Sequence, residues 1–116
     1  MNAKTYMKDI RNRKIMILKK ADIIRQLPAD DADCEQLRVE LQEDIKAYNE
    51  KYSKVRKCIE ELPVAQYDLV FRVYVLGQTL REVANHADRS YSWATLTHSQ
   101  AFKALQKMFD EMGMCM

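Results

Sequence analysis

LPVAQYDLVFRVYVLGQTLREVANHADRSYSWATLTHSQAFKAL, residues 62–105, is the stretch whose reading decides the fold. Pro63 suits the first turn of a helix, where its missing N–H costs nothing. The apolar run Leu69, Val70, Phe71, Val73, Tyr74 and Leu76 predicts a largely buried helix over about 64–76. Gly77 fits the left-handed position after a helix end. Thr79 and Glu82 have capping-box spacing, which predicts a short helix over about 80–87. Asp88-Arg89-Ser90 is a polar turn, with Ser90 as the cap of a last helix over 91–111, ahead of Gly113. No glycine stands in this turn. Asp88 can take the left-handed conformation instead, at some cost.

Before this stretch lie two longer helical patterns. Ile10, Ile17 and Ile24 recur every seven residues in a helix expected over 3–27, which Pro28 ends. Asp30, Asp31 and Asp33 are alternative caps for the next helix. Its stripe is the clearest in the chain: Leu37, Leu41, Ile45, Tyr48, Tyr52, Val55, Ile59 and Leu62, spaced by threes and fours. Such a stripe is a packing seam of coiled-coil type. The short connection favours an antiparallel hairpin within the chain, with homodimerisation through the hairpin as an addition. The expected fold is therefore all-α. A helical hairpin, coiled-coil-like, over 1–62 precedes a three-helix unit over 63–116.

Composition agrees. The chain has 116 residues, two glycines, two prolines and 31% charged residues, and no run alternates for long as a strand would. Net charge is +2, unevenly spread. Residues 1–29 carry +6, residues 30–62 carry −4, and residues 63–116 are neutral. The basic first helix can lie against the acidic second one and still present an outer face to phosphate. Cys34, Cys58 and Cys115 lack metal-ligand spacing to each other or to His86 and His98, so reduced thiols and no metal are expected. No stretch has the length of a membrane span or a signal peptide, and a cytoplasmic protein is expected. No phosphate loop, carboxylate pair or nucleophile system is present, so no catalytic residue, no cofactor and no enzymatic activity are expected. His98 reads as a core or boundary residue. Ser92 and Ser99 lie on its own helix, with no carboxylate to orient the imidazole.

Two helices joined by a tight turn, with another helix before them, is the order of a helix-turn-helix. The 62–105 stretch resembles the promoter-reading helix-turn-helix of sigma factors. The shared elements are Leu62-Pro63, Tyr74 with Gly77, Thr79-Leu80-Arg81-Glu82-Val83-Ala84, Ser90 and Ala101-Phe102. With its charged hairpin in front, the whole chain is similar to small sigma-like regulators of phages and prophages, the ArpU and RinA type of late-gene activators. His98 fits the Leu-His pattern of their reading helices, although Thr97 replaces the leucine. The resemblance implies a transcriptional regulator in a bacterial host cell, acting on double-stranded DNA, with the hairpin serving dimerisation or contact with RNA polymerase.

Helical geometry assigns Ala94, Thr97 or His98, Ala101, Phe102 and Leu105 to the inner side of the last helix. Tyr91, Ser92, Thr95, Leu96 and Ser99 fall on the outer side, with Trp93 between. The candidate DNA-binding set is Arg81, Arg89, Tyr91, Ser92, Trp93, Thr95, Leu96, Ser99 and Lys103. The reading helix holds no Lys or Arg before Lys103. Phosphate-neutralising charge must then come from Arg72, Arg81, Arg89, Lys103, Lys107 or the first helix. The same uncharged face suits a second reading, a helix-turn-helix turned protein-binding module that takes RNA polymerase or another host protein without DNA. Met108, Met112, Met114 and Met116 crowd the C-terminus, as a frayed helix end or a soft contact for such a partner.

Overall fold

The protein is all-helical, with no strand among residues 2–112, which are the residues described by this computed structural model. Gly113, Met114, Cys115 and Met116 lie outside the described residues. Helix α1 (Ala3–Gln26) starts at Asn2, whose side chain accepts from the Thr5 N–H at 3.0 Å. It ends where Leu27, held extended ahead of Pro28, leaves helical geometry. Helix α2 (Ala32–Glu60) takes Asp31 as its cap, the carboxylate accepting from the Asp33 N–H at 2.7 Å. Helix α3 (Val64–Val70) continues into a π-helical turn, Phe71–Val75. Helices α4 (Leu80–His86) and α5 (Tyr91–Glu111) follow.

Helices α1 and α2 run antiparallel. Lys20 meets Asp44 at 2.6 Å and Asp9 meets Lys51 at 2.6 Å, so one register rises as the other falls. The Tyr6 hydroxyl donates to the Lys51 carbonyl at 2.7 Å. The α2 stripe is not buried along its whole length. Tyr48, Val55, Ile59 and Leu62 are buried, whereas Leu37 and Leu41 are half-buried and Ile45 is 40% exposed. Two helices alone cannot enclose a seam. The stripe is buried without interruption only from Val55 to Leu62, where the neighbouring Cys58 Sγ lies 3.0 Å from Met112 Sδ at the end of α5. One core accordingly runs through the chain, joining Met7 and Ile10 of α1 with Val55 and Ile59 of α2. It continues through Leu69 and Val70 of α3 and Val83 of α4 to Leu105 and Phe109 of α5.

The π-helical turn is absent from the sequence-based expectation. The Leu76 N–H donates to the Phe71 carbonyl at 3.0 Å, one residue further back than in an α-helix. The wider turn leaves the consecutive Val73 and Tyr74 both buried, and it packs against α1. Gly77, at φ +81°, then turns the chain toward α4.

Thr79 and Glu82 form the full capping box, the threonine oxygen accepting from the Glu82 N–H at 3.1 Å. In the following turn Asp88 is left-handed (φ 55°), and the Arg89 N–H donates to the Ala84 carbonyl at 2.9 Å. Aspartate bears part of the left-handed penalty that glycine escapes. Asp88→Gly is therefore expected to stabilise the fold by about 0.5 kcal/mol, seen as a rise in Tm of roughly 3 °C. A fall in Tm would show that the Asp88 side chain contributes more than its backbone strain costs.

Candidate nucleic-acid interface

Helix α5 is long because Ser90 caps it, accepting from the Trp93 N–H at 3.1 Å, and because no glycine or proline interrupts Tyr91–Glu111. Ala94, Thr97, Ala101, Phe102 and Leu105 form its buried side. On the opposite side Ser92, Thr95, Leu96, Ser99, Gln100 and Lys103 are exposed. Leu96 is 59% exposed and Tyr91 50%. The Thr95 hydroxyl donates to the Tyr91 carbonyl at 3.1 Å, which leaves its oxygen as an acceptor. Between Tyr91 and Phe109 there is no Asp or Glu.

Two arginines are braced on aromatic rings at the start of this helix. The Arg81 guanidinium lies 5.2 Å from the centroid of Tyr91, and that of Arg89 lies 5.7 Å from Trp93. Cation–π contact limits how far each side chain wanders without neutralising it. Trp93 is half-buried against the core and also carries Arg89, so it both closes the core and braces a cation. Arg72 is committed elsewhere, in a salt bridge to Asp68 at 2.9 Å.

The rest of the positive charge comes from α1, and individual residues of α1 were not singled out by sequence reasoning. Lys4, Lys8 and Arg11, spaced four and three apart, share one side of that helix. Lys8 and Arg11 line a cleft of about 580 Å³ together with Arg81, Tyr91 and His98. Lys4 lines a smaller cleft with Ser99, Phe102 and Lys103. The Ala3 N–H donates to Gln106 Oε1 at 2.7 Å and fixes this end of α1 on α5. Asp9, Arg13 and Lys20 meet opposite charges on α1 or α2, whereas Lys4, Lys8 and Arg11 form no ion pair among the described residues. The first helix thus divides its charge between its acidic neighbour and the border of α5. The signal in the sequence was the +6 segment; what it lacked was the packing direction of α1.

His98 is held in the molecule's own structure. Its Nε2 is 2.7 Å from the Tyr74 hydroxyl, and its ring lies 4.6 Å from that of Phe102. Burial, and then the nearby Lys4 charge, push its pKa below the usual histidine value, while burial pushes the Tyr74 hydroxyl up to about 12. A depressed histidine binds fewer protons folded than unfolded, so its contribution is present above the unfolded pKa and is lost as pH falls below it. Stability should therefore decline from pH 7.5 to 5.5, and His98→Gln should flatten that decline in thermal melts. An unchanged pH profile in His98→Gln would assign the dependence to other groups.

Among the described residues no group of His, Cys, Asp and Glu could hold a metal ion, and no helix is long and apolar enough to cross a membrane. Cys34 and Cys58 are buried thiols. No family model, curated protein or solved structure matches the chain.

Proposed function

We propose that the protein is a sequence-specific, double-stranded DNA-binding regulator of transcription, sigma-like and of phage or prophage type, and not an enzyme. The observation that carries this reading is the flanking of a carboxylate-free, exposed α5 face by cations from other elements. Lys4, Lys8 and Arg11 come from α1, Arg81 from α4, and Arg89 from the turn. A helix laid in the major groove has a phosphate backbone on either side of it, so charge belongs beside the reading face rather than on it.

Helix α5 enters the groove with Ser92, Thr95 and Ser99 toward base edges. Arg81, Arg89 and Lys103 hold phosphate. Hydroxyls and the Gln100 amide suit adenine, and Leu96 suits a thymine methyl; no guanidinium is aimed along the face for guanine. The preferred sites are accordingly rich in A·T pairs. Exposed Met16, Ile23 and Val39 on the hairpin offer apolar surface for homodimerisation or for RNA polymerase.

Selection from a randomised duplex pool, followed by anisotropy titrations at 50 and 200 mM salt, tests the reading. An A·T-rich motif should emerge, with affinity falling on the order of 10²–10³-fold between the two salts for about five phosphate contacts. Absence of any enriched, salt-sensitive sequence would leave the second reading, a protein-binding module. The exposure of Leu96 and Tyr91 favours that alternative. Under it, Leu96→Ala weakens partner capture while alanine at Arg81 and Arg89 does not.

A further inference from the structure

Uncompensated positive charge gathers along the outer face of α5 and also in the cleft beside that helix. Lys8, Arg11 and Arg81 converge there from α1 and α4, and no carboxylate lines the cleft. None of the three forms an ion pair among the described residues. Arg11 is poorly supplied with acceptors. Its Nη2 reaches the Gly77 carbonyl only at 3.4 Å, and its buried Nε–H has no partner. A guanidinium has five donors, and a buried donor left unpaired is costly. The remaining walls are Val73, Leu80, the polar Gln78 and Thr79, and the rings of Tyr74, Tyr91 and His98. At about 580 Å³ the cleft is far larger than a bare phosphate and falls in the range of small-molecule sites.

We infer that this cleft binds a nucleotide-sized phosphate ester, its phosphate held by Lys8, Arg11 and Arg81 and its organic part against Tyr91 and Leu80. The ester has two sources, a free mononucleotide or a nucleotide unit of bound DNA. The site stands on its own geometry, whether or not α5 reads a duplex.

The test is a ¹H–¹⁵N NMR titration of the full chain with adenosine 5′-monophosphate, inorganic phosphate and adenosine, following Gln78, Thr79, Leu80 and Tyr91. Saturable shifts confined to the cleft are expected with the monophosphate, at a Kd below about 1 mM. Adenosine, lacking the anion, should bind at least about ten-fold more weakly. The double variant Lys8→Ala with Arg81→Ala should weaken monophosphate binding by about ten-fold or more, and Lys57→Ala on α2 should not. No saturable shift, or equal binding by the double variant, would overturn the inference. Displacement of the monophosphate by a duplex identifies the DNA backbone as the source, and simultaneous binding identifies a free nucleotide; each supports the site. A chain that binds the monophosphate but no duplex refutes the DNA reading and leaves this site intact.

Discussion

Replacing Lys4, Lys8, Arg81 and Arg89 together by alanine is expected to remove duplex binding at 150 mM salt, a loss of about a thousand-fold or more. Each cation that neutralises a phosphate contributes about 0.9 to the slope of log K against log salt, so the variant's slope should be shallower by about 3.6. The magnitude is large because α5 has little charge of its own to fall back on: Lys103 is its first cation and lies in its second half. Folding should survive, since Lys4, Lys8, Arg81 and Arg89 are exposed and none is in an ion pair among the described residues. The ring contacts of Arg81 and Arg89 are surface contacts and contribute little to stability. An unchanged melting curve with unchanged duplex affinity would remove the phosphate role assigned to these residues. A lost affinity with an unchanged salt slope would mean that they act by shaping α5 and not by meeting phosphate.

The helical elements were legible because their ends are written locally. Thr79 with Glu82, Ser90, Pro28 and Gly77 each act within a few residues of themselves, and the structure uses each of them as the sequence suggests. The left-handed Asp88 follows from the same local reasoning. The two sides of α5 follow from periodicity alone, since burial alternates with the helical repeat.

What the sequence did not convey depends on which elements meet. The stripe of α2 looks uniform, yet Val55, Ile59 and Leu62 are buried while Ile45 remains exposed, a difference set by which elements cover each end of the helix. The π-helical turn packs against α1, and its Tyr74 meets His98 and Phe102 of α5, tertiary contacts that no capping signal records. The same holds for Lys4, Lys8 and Arg11. A basic helix is visible as composition, but its direction relative to α5 is set by Ala3, Met7 and Ile10 entering the common core. Charge on the candidate interface was therefore countable in advance, and its location was not.

That common core makes Phe109 the residue whose truncation should cost most. Its side chain is fully buried, and its ring meets that of Tyr6 edge-on at 6.0 Å, so it ties the end of α5 to α1. Phe109→Ala removes the ring from a site walled by several helices, where collapse to fill the void is hard. The expected loss is about 3–5 kcal/mol, against a total of roughly 5–15 kcal/mol for a domain of this kind. Tm should fall by more than about 10 °C. The position of the loss is informative as well as its size. Phe109 lies far along α5 from Trp93, so Trp93 fluorescence would not sense the change if the halves of the chain melted separately. With one core, fluorescence and far-UV circular dichroism should shift together in a single transition. Phe109→Ala should then also weaken any ligand that needs Lys4 and Lys8 beside α5, because those cations are positioned by the packing that Phe109 supports. A fluorescence midpoint left in place while the dichroism midpoint falls would show that the α1–α2 pair can detach from the α3–α5 unit, and the α1 contribution to the interface would then be conditional on docking.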